Sequence, residues 1–423
     1  MRHADFTNTQ VASSETARNI NRGVLLNLIR RRQPISRAEL ARVSGLQRST
    51  VSLIIEQLIE EKWVVNGPAG RLPRGRRPTL LHLNERRAIV VADLRPEQTT
   101  VAVADVNGQF LSQVVMPTSA DPKATAEELA AGIQNLKTTH PGLIFEGIGI
   151  SLSGRFDQAT ERVVFAPNLK WPEFDFKAAL EQVTGMRVEL ENAANACVLA
   201  EVWYGQTEHI RDLVVVTISE GVGTGIFSNG TLVRGLRGMA GEFGHVSLDL
   251  NGPICACGAR GCWEVYASNR AALRYYHESS TGSNTLKFQD LLALAEAGDA
   301  LALRALEKMA HAIGRGMRMI VAGLAPERIV IVGEFASQWK RFGPTVEAEV
   351  AAASLTGKPT AVMPVADPRM ARLRGTVALV LQRHFGSFAD AEESRPTRNT
   401  EPARSIQKKH GRTRLERKWA AKG

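Results

Sequence analysis

The start of the chain has apolar positions spaced as in short amphipathic helices. Residues 20–32 carry an apolar stripe of helical period. Ser36 is a candidate N-cap with Glu39 three residues on, which predicts a short second helix. A turn over residues 44–46 leads to a third helix that begins near Arg48, and its predicted core positions are Val51, Ile54, Ile55 and Leu58. A short helix, a glycine-containing turn and a second amphipathic helix form a helix-turn-helix.

Two β-rich stretches at residues 63–65 and 79–83 predict a hairpin with a long tip. The tip carries four arginines, which are Arg71, Arg74, Arg76 and Arg77. An arginine-rich wing suits contact with phosphates or with the minor groove. The pattern therefore predicts a winged helix-turn-helix domain over residues 1–86.

The residues predicted to be exposed at the start of the third helix are hydrogen-bonding types. They are Gln47, Arg48, Ser49, Thr50 and Ser52. A recognition helix enters the major groove by this end, so we expect these side chains to contact double-stranded operator DNA. The alternative is a three-helix packing module with a solvated basic loop. The agreement among turn, polar face and wing favours DNA binding.

From residue 88 onward, strand and helix patterns alternate. Strands are expected near residues 88–93, 100–105, 111–116 and 145–152, and a helix over residues 124–138. This alternation predicts an α/β body with mixed sheets. The chain has no run of about 18 apolar residues. Its first twenty residues lack the apolar core of a secretory signal, so we expect neither a membrane span nor export.

Charge is unevenly distributed along the 423 residues, whose net formal charge is +10. Residues 1–87 carry +9, residues 88–393 carry −7 and residues 394–423 carry +8. Basic ends around an acidic body indicate that nucleic acid is a partner of the ends. Residues 388–423 show little periodicity and are predicted to form a disordered basic tail. This tail either adds nonspecific DNA affinity or only solubilises the chain.

Three of the four cysteines, Cys255, Cys257 and Cys262, lie close together in the sequence. With His245 they make the ligand set of a closed tetrahedral zinc site, which implies a structural metal. The alternative is a group of buried cysteines acting as small apolar residues, which the spacing disfavours. Cys197 lies in an apolar helical pattern and is assigned to the core. Clustered thiols also indicate a reducing compartment, the cytoplasm.

Six segments of the body occur in the order found in one protein family. They are GIGISLSG (147–154), APNLKW (166–171), ENAANACVLAE (191–201), TISEGVGTGI (217–226), LRGMAGEFGHV (236–246) and CACGARGCWEVYAS (255–268). On these motifs the chain resembles the ROK family, which groups sugar kinases with sugar-responsive transcriptional repressors. The N-terminal module is similar to that of the repressor branch. The resemblance implies two actin-like, ribonuclease-H-like α/β lobes over residues 87–387, with a sugar bound between them.

The resemblance also implies which residues contact the sugar. Carried over to this sequence, they are Gly154, Asn168, Asn192, Glu242, His245 and Glu264. Sugar hydroxyls both donate and accept hydrogen bonds, so carboxylates and amides can recognise them. His245 has two ring nitrogens, so one can bind zinc while the other faces the sugar.

Three motifs depart from the pattern of the kinase branch. In the stretch similar to the DxGGT turn of the kinases, both glycines that let phosphate approach the backbone are replaced, by Arg95 and Pro96. Ala193 stands where the kinases carry an aspartate base, and Glu334 replaces the second glycine of the adenosine-side turn. A glycine-rich turn at residues 221–225 remains. The three losses predict that the chain does not phosphorylate a sugar.

The sequence therefore predicts a cytoplasmic, sugar-responsive transcriptional repressor that acts as a homodimer or a dimer of dimers on palindromic sites. One alternative is a sugar kinase with an attached DNA-binding domain. Another is a DNA-binding or scaffolding protein whose cleft no longer binds an effector. In the favoured interpretation, the sugar changes lobe closure and thereby the geometry of the paired DNA-binding modules.

Overall fold

Three helices and a small sheet open the chain in the computed structural model. The structure describes residues 14–69, 79–157, 160–166, 169, 171–205, 210–280, 286–352 and 360–385. The N-terminal module contains α1 (Ser14–Arg32), β1 (Ile35–Ser36), α2 (Arg37–Ser44), α3 (Arg48–Glu60), β2 (Val64–Ala69) and β3 (Thr79–Leu83). Its strands lie in the order β1-β3-β2, with β2 and β3 antiparallel. The predicted helices and hairpin strands are confirmed.

Local sequence signals set the ends of the two helices of the helix-turn-helix. The Ser36 hydroxyl accepts a hydrogen bond from the Glu39 amide at 3.2 Å and so caps α2. Gly45 ends α2 with a φ of 74°, a left-handed conformation that glycine adopts without steric cost. The four predicted core positions of α3 are all buried.

A five-stranded mixed sheet forms the first lobe of the body. The lobe contains β4 (Arg87–Leu94), β5 (Gln98–Asp105), β6 (Phe110–Pro117), α4 (Pro122–Thr138), β7 (Ile144–Leu152), β8 (Arg155–Asp157), β9 (Arg162–Phe165), α5 (Phe176–Thr184) and β10 (Val188–Asn192). The sheet has the order β10-β7-β4-β5-β6, while β8 pairs with β9. Strand β4 is parallel to β7 and antiparallel to β5, where Ala88 lies opposite Asp105. Every β4 residue is buried, because both faces of the sheet are covered.

Helix α6 (Ala193–Tyr204) leads into a second lobe with its own five-stranded sheet. The lobe contains β11 (Leu213–Ile218), β12 (Val222–Ser228), β13 (Thr231–Val233), α7 (Glu264–Ala267), α8 (Asn269–His277), α9 (Phe288–Glu296), α10 (Ala300–Leu324), β14 (Arg328–Gly333), α11 (Trp339–Ala351) and β15 (Ala361–Pro364). Short 3₁₀ turns occur at Leu236–Gly238, Glu242–His245 and Glu334–Gln338. The strand order is β13-β12-β11-β14-β15. The last described helix, α12 (Ala371–Phe385), returns to the first lobe and packs against β4 and β7.

Helix α6 lies between the two sheets. Leu199 of α6 shares an apolar cluster with Ile89 of β4 in the first lobe. Cys197 of the same helix shares another cluster with Val215 of β11 in the second lobe. Residues 193–200 are all buried, as expected of a helix that is apolar on every side. The assignment of Cys197 to the core is confirmed.

The apolar core of the N-terminal module is continuous with that of the body. Leu25 of α1 and Ile55 of α3 belong to the same cluster as Leu381 and Phe385 of α12. The division of the chain after residue 86, in the turn between β3 and β4, stays a prediction. The predicted tail over residues 388–423 lies outside the described residues.

The strands and the helix predicted for the start of the body are confirmed. Each observed element lies within two residues of the expected bounds at either end. In the part of the chain that the structure describes, no helix combines the length and the apolar character needed to cross a bilayer.

The close approach of α12 to α6 makes Gly375 intolerant of a side chain. A Cβ at this position would lie 1.7 Å from the carbonyl oxygen of Ala196. Gly375→Ala is therefore expected to lower the free energy of unfolding by about 3 kcal/mol or more, measured by urea denaturation.

Gly323→Ala near the end of α10 is the matched control, because a Cβ there meets nothing within 4 Å. Alanine is the better helix former, so this variant is expected to be neutral or more stable by up to about 1 kcal/mol. Equal stability of the two variants would contradict the close packing of α6 and α12.

Candidate functional site

Four potential metal ligands meet on one segment of the second lobe. One ligand atom each from His245, Cys255, Cys257 and Cys262 lies within 4.8 Å of the others. Cys257 Sγ is 3.6 Å from Cys262 Sγ, and Cys255 Sγ is 3.6 Å from His245 Nδ1. Two sulfurs bound to one tetrahedral zinc ion at about 2.3 Å lie roughly 3.8 Å apart, so the donors and their spacing fit such an ion. The four predicted ligands thus form a cluster that can hold a metal ion.

Glycines allow the segment to turn sharply around this cluster. Gly258 and Gly261 have φ values of 90° and 63°, in the left-handed region. A Cβ on Gly261 would lie 1.7 Å from the carbonyl oxygen of Asp249. Cys262 pairs with Ser247 in an isolated β-bridge. The backbone therefore returns on itself and places the cysteine sulfurs side by side.

The three thiols of the cluster differ in how readily they ionise. Burial, followed by the neighbouring thiols, raises the pKa of Cys262 to about 12. Burial also raises the pKa of Cys255, whereas hydrogen bonding from the Ala259 backbone lowers the pKa of Cys257. A bound cation favours the thiolate form of all three side chains.

The predicted sugar contacts of the second lobe adjoin the metal cluster. His245 Nε2 lies 3.8 Å from the Glu242 carboxylate on the same 3₁₀ turn, while Nδ1 faces the sulfur of Cys255. Glu264 Oε2 accepts a hydrogen bond from the Val222 amide at 3.0 Å, and its Oε1 lies 3.8 Å from Cys255 Sγ. The structure therefore brings Glu242, His245 and Glu264 together around one loop.

Two further predicted contacts meet where the first lobe joins α6. The Asn192 side chain accepts a hydrogen bond from the Ala194 amide at 2.8 Å and so caps α6. Its Nδ2 donates to the carbonyl oxygen of Gly154 at 2.7 Å. Asn168, the remaining predicted sugar contact, lies outside the described residues.

Strand β12 lies between the start of α6 and the metal cluster, and its glycines allow the close fit. A Cβ on Gly221 would lie 2.3 Å from Glu264 Oε2. A Cβ on Gly223 would lie 3.6 Å from the Cβ of Ala194. A Cβ on Gly225 would lie 2.7 Å from the carbonyl oxygen of Ala194. The glycine-rich turn that the sequence retains therefore has a packing role, independent of any phosphate.

An ion pair that the sequence analysis did not identify bridges the two lobes. Glu191, at the end of β10, is buried and accepts hydrogen bonds from Asn195 Nδ2 at 3.0 Å and Arg234 Nε at 2.9 Å. Arg234 follows β13 in the second lobe and lies in none of the six family motifs. The pair joins the lobes beside the predicted sugar contacts, and no local pattern could have revealed it.

Asp93, the first residue of the altered phosphate turn, is buried between cations. Its carboxylate lies 2.7 Å from Arg95 Nε and 3.7 Å from Arg372 Nη1. The Ser151 hydroxyl donates to it at 2.7 Å. Burial would raise the pKa of Asp93, but Arg372, Arg95 and the Ser151 hydroxyl outweigh this and hold the pKa below its usual range.

The predicted DNA contacts form one surface at the start of α3. Those that are exposed are Gln47, Arg48, Ser49 and Ser52, whereas Thr50 is partly buried. Leu53 is 61% exposed on the same helix and can contact a thymine methyl group. Leu53 belongs neither to the four predicted core positions of this helix nor to the predicted contacts, because a single leucine carries no DNA-binding signal in the sequence. The wing arginines Arg71, Arg74, Arg76 and Arg77 lie outside the described residues.

Known proteins resemble this chain over most of its length. The sequence profile of the ROK family matches residues 93–383. The xylose repressor of Bacillus subtilis (strain 168) is 34% identical over 327 residues, which cover 76% of this chain and 84% of that protein. The DNA-binding transcriptional dual regulator NagC of Escherichia coli (strain K12) is 25% identical over 349 residues, 80% of this chain and 86% of that protein.

Solved structures agree with the predicted fold class. A ROK family transcriptional regulator, described as a homolog of the E. coli MLC protein, superposes with a TM-score of 0.76 at 22% identity. The superposition covers 89% of this chain and 99% of that one. A ROK family glucokinase from Streptomyces griseus, in complex with glucose and AMPPNP, has a TM-score of 0.61 at 26% identity and covers 70% of this chain and 99% of its own.

These likenesses confirm a helix-turn-helix followed by a two-lobed body of the actin-like, ribonuclease-H-like type. The family profile covers more than half of the chain, and a repressor is more than 30% identical over most of its own length. The chain therefore belongs to the ROK family.

Proposed function

We propose that this protein is a sugar-responsive, DNA-binding transcriptional repressor whose body no longer transfers phosphate. The exposed polar start of α3, joined in one chain to the cluster of Glu242, His245 and Glu264, carries the proposal. The first surface suits base edges and phosphates, and the second suits a polyhydroxyl ligand. Similarity to the xylose repressor of Bacillus subtilis supports the same pairing of activities.

The sugar lies between the lobes in this proposal. Glu242 and His245 Nε2 together offer an acceptor and a donor to neighbouring hydroxyls. Glu264, Asn192 and Gly154 complete the described part of the site, and Asn168 joins them by family resemblance. Xylose is the first sugar to test, because a xylose repressor is among the relatives.

The metal in this proposal is a structural zinc ion. All four ligands come from the protein, which leaves no open coordination position for chemistry. Coordination through Nδ1 would fix the ring of His245 and direct its Nε2 toward the sugar. The ion thereby organises the sugar site without touching the sugar.

Phosphoryl transfer lacks its usual residues in this chain. Ala193 has no ionisable group to accept the proton of a sugar hydroxyl. Arg95 and Arg372 already neutralise Asp93, and Arg95 occupies the turn where phosphate would approach. Glu334 adds a negative charge on the opposite side, where it would repel a phosphate. We infer that the ancestral kinase activity has been lost.

The DNA-binding surface combines base contacts from α3 with phosphate contacts from the wing. Gln47, Arg48, Ser49, Thr50 and Ser52 are assigned to operator contact, and Arg71, Arg74, Arg76 and Arg77 to the backbone or minor groove. Helix-turn-helix proteins read two half-sites by two-fold symmetry, so the chain acts as a homodimer or a dimer of dimers. Such a regulator works in the cytoplasm.

Selection from a random duplex library with the full chain is expected to enrich a palindromic site. One sugar of a panel that begins with D-xylose and D-glucose should then change the DNA dissociation constant by about tenfold. Glu242→Gln removes a charged acceptor and should abolish this sugar effect, while sugar-free DNA binding is kept.

Arg48→Ala is the converse variant. It should weaken DNA binding by about 1–3 kcal/mol in a fluorescence-anisotropy titration, whereas thermal stabilisation by the sugar is retained. Replacing thymine with uracil in the duplex removes the methyl group and should weaken binding by the wild type. In the same titration, Leu53→Ala should lose less DNA affinity on this replacement. Failure to enrich any duplex would refute the repressor assignment.

A sugar kinase with a DNA-binding arm is the second candidate, because a glucokinase shares the fold and the glycine-rich turn is retained. If the protein is a repressor, it should release ADP from ATP and Mg²⁺ at the same rate with the responding sugar as without it. A coupled-enzyme assay measures this. Sugar-dependent ADP release that Glu242→Ala abolishes would establish the kinase instead.

Purified protein is expected to contain about one zinc ion per chain by plasma mass spectrometry. Cys257→Ser should lower the zinc content and weaken sugar binding, because the ring of His245 loses its anchor. Cys197→Ala removes a thiol far from the cluster in sequence and should keep the metal. Full zinc content in Cys257→Ser, or unchanged sugar binding in zinc-free protein, would argue against this role.

A further inference from the structure

Two helices run from the boundary between the lobes, where the sugar cleft is proposed, to the N-terminal module. Helix α6 begins at its N-cap Asn192, beside Gly154, and has 12 residues, which span about 18 Å. Helix α12 begins near Arg372, which faces Asp93, and has 15 residues, which span about 22 Å. Both helices therefore have their first turn at the cleft.

The two helices pack as one unit along their length. Gly375 of α12 lies so close to Ala196 of α6 that no side chain fits between them. At the far end the rings of Trp203 and Phe385 are 5.4 Å apart, centroid to centroid. Such close packing transmits a displacement of one helix to the other.

The last turns of both helices are held by α1 of the DNA-binding module. Arg30 Nη1 donates to the carbonyl oxygen of Trp203 at 2.5 Å, and its guanidinium lies 4.4 Å from the centre of the Trp203 ring. Asn27 Nδ2 donates to the carbonyl oxygen of Phe385 at 2.9 Å. Side chains of α1 thus donate hydrogen bonds to the last turn of each helix.

The joint is partly buried, and the pKa values of two groups in it are shifted accordingly. Burial lowers the pKa of Arg30 to about 10. Burial, followed by Arg383 and Arg22, lowers the pKa of His384 at the end of α12 to about 4, so this histidine is neutral at physiological pH. Separating α1 from the helix ends would break both hydrogen bonds and the contact of Arg30 with the Trp203 ring.

We infer that α6 and α12 form a paired-helix lever, which transmits the state of the sugar cleft to the DNA-binding module through Arg30 and Asn27 of α1. The inference rests on the proposed function and specifies its regulation. A sugar that contacts Asn192 moves the first turn of α6, and the stiff pair carries this movement to α1. Arg30 is a positioning residue that touches neither the sugar nor the DNA.

The test compares Arg30→Met and Asn27→Ala with Arg32→Met, an exposed position on the same helix that removes the same charge as the first variant. Each full-length chain is titrated with the selected duplex, with and without the responding sugar of the panel. Sugar affinity is measured separately by calorimetry. A merely structural role would change the DNA dissociation constant by the same factor with and without sugar. Loss of coupling would instead change the ratio of the two dissociation constants.

In the wild type and in Arg32→Met, the DNA dissociation constants with and without sugar should differ by about tenfold. Arg30→Met and Asn27→Ala should bring this difference below about threefold, with sugar affinity unchanged. Hydrogen exchange without DNA gives a second readout. Sugar should alter the protection of α1 amides in the wild type, and Arg30→Met should lose this response while the first turn of α6 still responds.

Wild-type ratios and wild-type α1 exchange in both joint variants would overturn the lever while leaving the repressor function intact. A wild-type chain that binds the duplex but is indifferent to every sugar of the panel would overturn both. Asn27→Ala removes no charge and little volume, so it tests the joint even if Arg30→Met does not fold.

Discussion

The burial of α6 between two sheets is the constraint on which the arrangement of this molecule depends. Its alanine-rich first turns allow β12 to approach closely on one side and α12 on the other. The same helix presents Asn192 at the cleft and Trp203 at the N-terminal module. This one buried helix therefore sets both the distance between the lobes and the position of the N-terminal helices.

The sequence predicts features whose causes are local. The helices of the N-terminal module follow from apolar spacing and from the Ser36 cap, and the metal ligands follow from cysteines separated by a few residues. Contacts between distant segments were not predicted, because sequence patterns report only on residues that are near one another along the chain. Arg372 reaches Asp93 from the last described helix, and Arg234 reaches Glu191 across the cleft, so no window of the sequence contains both partners.

The glycine-rich turn shows that a motif known from an enzyme can also have a packing role. A Cβ on Gly225 would lie 2.7 Å from the backbone carbonyl oxygen of Ala194. A Cβ on Gly221 would lie 2.3 Å from a side-chain oxygen of Glu264, and one on Gly223 would lie 2.9 Å from the hydroxyl oxygen of Thr217. These contacts are a reason for glycine in this turn that does not involve a phosphate. Presence of the turn therefore does not distinguish an enzyme from a regulator.

The buried pairing of Asp93 with Arg95 and Arg372 has a consequence for what the protein can report. A kinase converts its sugar and releases a product, so the occupancy of its cleft depends on turnover and on the supply of ATP. In the proposed function Asp93 is neutralised from within and no phosphate is transferred, so the cleft would keep its ligand unchanged. The occupancy of the cleft would then follow the free concentration of the sugar alone, and it would depend neither on turnover nor on the supply of ATP.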